Sequence, residues 1–425
     1  MQNANGTKMP RITGEIEVAQ DKSISHRALM ISAVSEGTST IKNFLQAEDC
    51  ISTMNCLKKL GVDIVETHGS IIVTGRGLSL KEPWGILDAG NSGTTVRLLS
   101  GILAGQNFST LVTGDESLSK RPMDRIIKPL EQMGAKIESN KGFLPLKING
   151  GRLNPIKYDS KISSAQVKSC VLFAGLFAEG TTIFTEPEKS RDHTERMLKN
   201  FGAGISVNGN AVSISGTGRL KASDVYVPAD ISAAAFFMVA ALIVPGSELK
   251  IKDVGINPTR TGIINVLKRM GAKIEIENER EINNEPVADI IVKYSELKST
   301  DINKNEIPFL IDEIPVIAVA ATQAKGVTKI TGAKELRVKE TDRLRAISSE
   351  LRKMGAKIEE LEDGLIIEGP VELKGAAIET YKDHRIAMAM SIAALVANGR
   401  TEIADKECVN ISFPEFWNTL DKIQK

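Results

Sequence analysis

Five basic residues lie at positions where the sequence predicts the beginning of a helix: Lys22, Arg27, Arg121, Arg343 and Arg385. Most of the surrounding segments are rich in Ser, Thr, Asn, Asp and Gly, which cap helix N-termini. A helix N-terminus presents free N–H groups and the positive end of the helix dipole, and both attract anions. Arginine adds a planar fork for phosphate or carboxylate, and lysine adds a point charge. Since capping does not require arginine, the set predicts a site for a highly anionic ligand.

Other interpretations of these segments are weaker. A lysine or arginine on an amphipathic helix is usually solvated, so the prediction is confined to residues at helix N-termini. Asp230 is interpreted as a helix cap only. GNSGTT (90–95) lacks the ending of a nucleotide P-loop, and GRGLSL (75–80) and GTGRLK (216–221) lack the third glycine of a dinucleotide fingerprint.

The predicted helices follow a repeated pattern. Six apolar, small-residue runs are each followed by a glycine and a Thr/Ile-rich strand pattern, with intervals of 66 to 80 residues between Gly37, Gly105, Gly180, Gly246, Gly326 and Gly399. After most of them, an amphipathic stretch ends at a second glycine, at Gly61, Gly134, Gly202, Gly271 and Gly355. Glycine can adopt the left-handed conformation that ends a helix, so each of these glycines marks a predicted helix end.

The repeated unit is therefore predicted to be β-α-β-α-β-β and to occur six times. The sixth copy stops after its second helix, so the strand pattern of residues 11–18 is expected to supply a missing strand to that last repeat. Solenoid and propeller repeats are usually shorter, about 20 to 50 residues. Two α/β domains of three units each are the better interpretation: residues 21–227, and residues 1–20 with 228–425, with the anionic ligand in the cleft between them.

Composition excludes several classes of function. The chain has 425 residues, a net charge of +1, 42% hydrophobic and 25% charged residues, which argues against disorder and against general binding to nucleic acid or anionic membranes. The four cysteines and four histidines have no zinc-ligand spacing, so no metal and no cofactor are expected. Residues 1–10 do not resemble a secretory signal, and apolar runs are too short to span a membrane. The predicted location is the cytoplasm.

Six motifs then carry a resemblance to a known family. They are DKSISHR (21–27), NSGTTVR (91–97), KRPM (120–123), SSAQ (163–166), RVKETDRL (337–344) and DHRIAM (383–388). Their sequence and order closely resemble those of the 5-enolpyruvylshikimate-3-phosphate synthases, members of the enolpyruvyl transferase family, from about residue 10 to the C-terminus. The resemblance implies a monomeric, two-domain inside-out α/β barrel that transfers the enolpyruvyl group of phosphoenolpyruvate to shikimate 3-phosphate. It also implies a target of glyphosate.

The resemblance assigns roles residue by residue. Asp312, Glu340 and Lys22 are implied in catalysis. Shikimate 3-phosphate is expected at Lys22, Ser23, Arg27, Ser164, Ala165, Gln166, Ser190, Asp312 and Lys339, with Arg191 near its phosphate. Phosphoenolpyruvate is expected at Lys22, Gly93, Arg121, Gln166, Arg343 and Arg385.

The chain departs from the family pattern at Ile411, where many relatives have a lysine that clamps phosphoenolpyruvate; Lys406 is a nearby substitute. Glu335 and His193 replace the Asn and Tyr of some relatives. Two alternatives stay open. A UDP-N-acetylglucosamine enolpyruvyl transferase would carry a cysteine in the loop 114–123, which has none. An inactive anion-binding homologue would not need Lys22, Asp312, Lys339, Glu340 and Arg385 together.

Overall fold

A computed structural model describes residues 11–216 and 218–425, which form a mixed α/β fold. The chain divides into two compact units. The first unit contains the residues up to Ala19, Pro228–Glu281 and Pro286–Lys425, and the second unit contains Gln20–Val227 and Ile282–Glu285. Each is described by itself below.

Six helices are buried on nearly all sides; most of their residues are apolar or small, and even the His26, Arg27 and Lys168 side chains are buried. They are α1 (Lys22–Ala33), α3 (Gly93–Ala104), α6 (Ala165–Gly175), α8 (Ile231–Ile243), α10 (Ile314–Thr322) and α12 (His384–Ala394). Small residues allow close packing, as at Gly101, where a Cβ atom would overlap the carbonyl group of Cys170 on α6. The predictions of six buried helices in these segments are confirmed.

Most of the remaining helices lie half exposed on the surface: α2 (Glu48–Lys59), α4 (Glu116–Ser119), α5 (Asp124–Gln132), α7 (His193–Asn200), α9 (Gly262–Arg269), α11 (Arg343–Lys353) and α13 (Phe416–Ile423). In α5, for example, Ile126, Ile127 and Leu130 are buried, as helical spacing requires. Gly355 follows α11 with a φ of 88°, the expected left-handed conformation. Gly105 also follows its helix, α3, but its φ is −88°, outside the left-handed region.

The second unit contains three four-stranded sheets with one topology. Their strand orders are β5-β6-β8-β7, β9-β10-β12-β11 and β13-β2-β4-β3. In each, the first pair is parallel and the others are antiparallel. The strands are β2 (Glu36–Lys42), β3 (Asp63–Thr67), β4 (Ser70–Arg76), β5 (Leu87–Asp88), β6 (Ser109–Thr113), β7 (Lys136–Asn140), β8 (Phe143–Asn149), β9 (Lys157–Asp159), β10 (Thr181–Thr185), β11 (Ile205–Asn208), β12 (Ala211–Ser215) and β13 (Val225–Tyr226).

The first unit contains two four-stranded sheets, β1-β14-β16-β15 and β17-β18-β20-β19, and the parallel pair β21-β22. Both four-stranded sheets open with a parallel pair and continue antiparallel. The strands are β1 (Thr13–Ile16), β14 (Glu248–Gly255), β15 (Lys273–Ile282), β16 (Glu285–Lys293), β17 (Asp301–Ile302), β18 (Gly326–Ile330), β19 (Lys357–Glu360), β20 (Leu365–Gly369), β21 (Ala377–Ile378) and β22 (Glu402–Ile403).

The N-terminal strand does not join the last repeat, so that prediction is wrong. β1 pairs in parallel with β14, from Thr13 opposite Glu248 to Ile16 opposite Ile251. In other sheets, the strand before a buried helix pairs with the strand after it, but β13, which precedes α8, pairs with β2. Because β13 does not pair with β14, the edge of β14 is available for β1. Just before β1, Arg11 and Ile12 meet the end of the chain. Arg11 and Lys425 exchange two backbone hydrogen bonds of 2.8 and 3.0 Å, and Ile12 forms an antiparallel bridge with Gln424.

Among the residues that the structure describes, no helix has the length and hydropathy needed to cross a membrane. Within the same residues, no group of three or more His, Cys, Asp or Glu could hold a metal ion. All four cysteines are free thiols in buried positions.

Candidate active site

Acidic and hydroxyl side chains cap five of the six buried helices. Asp21, Ser92, Ser164, Asp230 and Asp383 each accept a hydrogen bond from a backbone N–H in the first turn of the following helix. α10 differs, because Glu313 makes no such bond and Pro315 lies in its first turn. The caps fix where each helix begins, and thereby the position of the functional side chains in its first turn.

In the second unit, α1 carries Lys22, Ser23 and Arg27 on its first two turns. The Lys22 ammonium lies 2.9 Å from the Asp49 carboxylate, at the beginning of α2. Arg27 is buried and donates from Nε to Thr194 at 2.7 Å, and from its two terminal nitrogens to Ser169 and the Ser23 carbonyl group at 2.9 Å. These three acceptors are neutral oxygens, and they orient the guanidinium group.

Arg121 lies beside the N-terminus of α3. Its guanidinium group donates to the Asn91 side chain at 2.8 Å, to the Asn91 carbonyl group at 3.3 Å and to Ser117 at 3.1 Å. A Cβ atom at Gly93 would lie 3.3 Å from Arg97 Nη1 and 3.6 Å from Arg121 Nη1. Glycine at position 93 therefore leaves space beside two cationic groups.

Gln166 lies in the first turn of α6, after the cap Ser164 and the first helical residue, Ala165. Its side-chain oxygen accepts from Arg97 at 2.6 Å, and its amide nitrogen donates to Thr94 at 3.0 Å. Arg97 also donates to the Pro122 carbonyl group at 3.4 Å, next to Arg121. Arg97 therefore connects two predicted site segments, a role that the sequence analysis did not assign to it.

His26 lies between Lys22 and Arg27 and is fully buried. Burial, reinforced by those two cations, lowers the pKa of His26 well below its ordinary value, so the ring is neutral near pH 7. Its Nδ1 atom lies 2.7 Å from the Thr53 hydroxyl, which lies 2.6 Å from that of Thr95, which in turn bonds the cap Ser92 at 2.8 Å. This chain of hydroxyl groups connects the first turns of α1 and α3.

In the first unit, Arg343 is the centre of a cluster of carboxylates. It begins α11, and its side chain is 1% exposed. Its guanidinium nitrogens lie 2.8 Å from Asp383, 2.6 Å from Glu340 and 3.4 Å from Asp312. Burial opposes the charge of Arg343, but these carboxylates outweigh it and raise the pKa of Arg343 above its ordinary value. Asp383, a buried helix cap with no role assigned from sequence, therefore fixes Arg343.

Two further cations surround Asp312, which lies in a 3-10 helix at Ile311–Glu313. Lys339 Nζ and Arg385 Nη2 each lie 3.8 Å from its carboxylate, and Arg385 also donates to the Asp312 carbonyl group at 3.2 Å. The adjacent Glu313 is buried, accepts a hydrogen bond from Ser232 and lies 4.0 Å from Arg385. The five residues predicted in this unit, Asp312, Lys339, Glu340, Arg343 and Arg385, form one cluster.

The conspicuous RVKETDRL motif (337–344) contains scaffold residues as well. Arg337 donates to the Glu362 and Leu361 carbonyl groups and pairs with Glu360 and Asp342, at distances of 2.6 to 3.0 Å. Asp342 caps α11 through the backbone N–H of Arg345. Arg337 and Asp342 therefore hold the loop that presents Lys339 and Glu340.

The structure gives the burial or contacts of each position at which the chain departs from the family pattern, and of Lys406. Ile411 is buried at the end of a 3-10 helix, Lys406–Ile411. Lys406 lies over the Trp417 ring, 5.1 Å from its centroid. His193 bonds Glu285 at 2.8 Å inside the second unit, and Glu335 is half-buried in a 3-10 helix.

Comparisons with known proteins agree closely with one another. Residues 7–420 match the family described as EPSP synthase (3-phosphoshikimate 1-carboxyvinyltransferase). The 3-phosphoshikimate 1-carboxyvinyltransferase of Endomicrobium trichonymphae is 55% identical over 420 residues, with 97% of each chain covered. That of Thermoanaerobacter sp. (strain X514) is 55% identical over 413 residues, covering 97% of this chain and 98% of its own. The solved EPSP synthase of Acinetobacter baumannii superimposes with a TM-score of 0.88 at 46% identity, covering 98% of this chain and 97% of that one.

Proposed function

The chain belongs to the EPSP synthase family, and we propose that it transfers the enolpyruvyl group of phosphoenolpyruvate to the 5-hydroxyl of shikimate 3-phosphate. Inorganic phosphate is released, and the product serves chorismate and aromatic amino acid biosynthesis. The observation that carries the proposal is the Arg343 cluster. It combines two carboxylates, Asp312 and Glu340, with the cations that an anionic donor requires.

The second unit supplies most of the acceptor site in this proposal. Lys22, Ser23 and Arg27 present two cations and a hydroxyl from one helix N-terminus. Shikimate 3-phosphate carries a phosphate and a carboxylate, and both suit such groups. The other acceptor contacts are Ser164, Ala165, Gln166 and Ser190, with Arg191 near the phosphate, and Asp312 and Lys339 from the first unit.

Phosphoenolpyruvate is bound by Lys22, Gly93, Arg121, Gln166, Arg343 and Arg385 in the same proposal. The space that Gly93 leaves beside the guanidinium groups of Arg97 and Arg121 supports a phosphate there. Ile411 supplies no charge, and the Lys406 ammonium lies over Trp417. The donor clamp therefore relies on the remaining cations.

Addition and elimination each require proton transfer. In the first step, the oxygen of the 5-hydroxyl attacks C2 of phosphoenolpyruvate, and Asp312 accepts the proton of that hydroxyl. Glu340 delivers a proton to C3 in the same step. In the second step Glu340 removes a proton from C3, the C2–C3 double bond re-forms, and the C2–O bond to phosphate breaks. Arg343 donates a hydrogen bond to Glu340 Oε2 and thereby orients the carboxylate that exchanges the proton with C3. Lys22, Lys339 and the arginines stabilise the departing phosphate.

The proposal includes the architecture predicted from sequence. Six β-α-β-α-β-β repeats form two domains, three in each, in the inside-out barrel of the enolpyruvyl transferases, and the substrates bind between the domains. The common topology of the four-stranded sheets supports this arrangement. A monomer in the cytoplasm completes the proposal, and sedimentation and cell fractionation test those two points.

Phosphate release tests the function. Purified protein with phosphoenolpyruvate is expected to release phosphate when shikimate 3-phosphate is added, and not with UDP-N-acetylglucosamine. Release with the nucleotide sugar alone would instead identify the other enolpyruvyl transferase. No release with either acceptor would indicate an inactive anion-binding homologue.

A further inference from the structure

The segment between β10 and α7 contains Ser190, whose surroundings differ from those of the other predicted site residues. Ser190 is 4% exposed, and among the described residues its Oγ atom has no hydrogen-bond partner. A buried hydroxyl without a partner is costly, so a ligand oxygen is a natural partner for it. Its backbone, by contrast, is firmly held on both sides.

Both backbone groups of Ser190 bind one buried ion cluster. The Ser190 N–H donates to Glu186 Oε1 at 2.8 Å, and Lys168 Nζ donates to the Ser190 carbonyl group at 3.2 Å. Lys168 also lies 2.8 Å from Glu186 Oε1 and 2.8 Å from Glu195 Oε1. The side chains of Lys168 and Glu186 are 1% exposed, and that of Glu195 is 5% exposed.

The cluster lies next to the proposed acceptor site. Lys168 is on α6, one turn beyond the cap Ser164, and Ser163 accepts from the Glu188 N–H at 2.9 Å. On α7, Thr194 receives the hydrogen bond of Arg27, and Glu195 follows it in the chain. Ser190 is thereby tied to the elements that carry Ser164 and Arg27.

Glu186 and Glu195 are unequal members of this cluster. Both bind Lys168 at the same distance, but of the two only Glu186 is bonded to Ser190 in the described structure. Burial, only partly offset by Lys168, raises the pKa of Glu195. Burial alone would lower the pKa of Lys168, but Glu195 and Glu186 raise it, so the ammonium stays charged. Removing either carboxylate leaves one neutral ion pair in the interior.

We infer that Glu186 is a positioning residue for acceptor binding: through the Ser190 N–H, it holds the Ser190 hydroxyl toward the phosphate of shikimate 3-phosphate. This rests on the proposed function, which places that phosphate at Ser190. Glu195 serves only to balance Lys168. The two carboxylates thus provide a matched pair for an experiment.

The test measures kcat and the KM values of both substrates for Ser190→Ala, Glu186→Met and Glu195→Met in the full chain, with thermal unfolding as a check of folding. Losing a hydrogen bond to a charged group corresponds to roughly a tenfold change in affinity. Ser190→Ala and Glu186→Met should each raise the KM for shikimate 3-phosphate about tenfold, with the KM for phosphoenolpyruvate within about twofold of wild type. Glu195→Met should leave the KM values for both substrates within about twofold of wild type.

A double variant and a conservative variant sharpen the result. If Glu186 acts through Ser190, Ser190→Ala combined with Glu186→Met should be no worse than Ser190→Ala alone, since the two effects share one interaction. Glu186→Gln keeps an acceptor oxygen for the Ser190 N–H and should restore most of the lost affinity. If Glu186→Met does not fold, Glu186→Gln takes its place in the test. A tenfold rise in the KM for shikimate 3-phosphate with Glu186→Gln would then contradict the inference.

The outcomes separate the two proposals. Ser190→Ala with a raised KM, and Glu186→Met no different from Glu195→Met, would overturn the positioning role of Glu186 and leave the role of Ser190 standing. An unchanged KM in Ser190→Ala would remove Ser190 from the acceptor site, and the inference with it.

Discussion

The basic residues of the two units are held in different ways. In the second unit, the described hydrogen bonds of Arg27 and Arg121 go to hydroxyl, amide and carbonyl oxygens. In the first unit, Arg343 lies among three carboxylates. Lys22, which pairs with Asp49, is an intermediate case. In the proposed function, this difference matches a division of work: the carboxylates of the first unit transfer protons, and most of the remaining substrate contacts come from the second unit.

The largest expected effect concerns the carboxylates of the first unit. Asp312→Asn and Glu340→Gln should lower kcat by about 10²- to 10⁴-fold, while the KM values change by only a few-fold, because each variant loses proton transfer and keeps its shape. Steady-state kinetics check this. Glu362→Gln, an exposed carboxylate paired with Lys334, is the control and should retain wild-type kcat. Wild-type turnover in either test variant would remove that residue from the mechanism.

The next effect concerns stability. Arg343→Met leaves Asp383 buried without its cation and should cost about 3–5 kcal/mol of unfolding free energy. Arg27→Met loses the hydrogen bonds to Thr194, Ser169 and the Ser23 carbonyl group and should cost about 1–3 kcal/mol. Urea unfolding of both variants measures the difference. Equal losses would mean that the contrast between the two units has no energetic counterpart.

A third effect concerns the donor. Arg121→Ala should raise the KM for phosphoenolpyruvate about tenfold or more, because the variant loses a charged group that donates hydrogen bonds to this substrate. The KM for shikimate 3-phosphate should change little. The neighbouring Lys120 is exposed and pairs with Glu116, so Lys120→Ala is a matched control with little expected effect. A donor KM that stays at the wild-type value in Arg121→Ala would contradict the assigned role.

The smallest effect is a pH dependence in the second unit. The pKa of His26 is lower in the folded than in the unfolded chain, so the unfolded chain binds its proton first as the pH falls. Stability is therefore lost as the pH falls below about 6.5, the ordinary pKa, by at most about 1.4 kcal/mol per pH unit. His26→Asn should flatten this slope between pH 7.5 and 5.5, while His68→Asn, at an exposed position, should not. Parallel slopes for wild type and His26→Asn would contradict the explanation.

Local features of the fold could be predicted from the sequence because they depend on nearby residues. The six buried helices and the cap Asp230 follow from apolar runs and capping chemistry. The partner of β1 could not be predicted, because strand exchange depends on where the chain leaves and re-enters a unit. Gly105 shows that a glycine after a helix permits the left-handed conformation but does not require it.

The residues of the candidate site also fall into those that could be predicted from the sequence and those that could not. The motifs identify which residues to consider, and their assigned roles stay predictions. The supporting residues Asp49, Glu186 and Glu313, and the hydrogen bond from Arg97 to Gln166, could not be recognised. The partners in these contacts are 4 to 81 positions apart in sequence and lie in ordinary helical or loop patterns. Their identification required distances, which no local pattern contains.

The central claim is that the carboxylates of the first unit move protons while the second unit binds anions. The most direct measurement is the reaction in deuterium oxide, with mass spectrometry of the product and of recovered phosphoenolpyruvate. Wild type should incorporate deuterium at C3, and Arg121→Ala should also do so when phosphoenolpyruvate is saturating. Glu340→Gln should incorporate deuterium about 10²-fold more slowly than wild type. Undiminished deuterium incorporation by Glu340→Gln would contradict the claim.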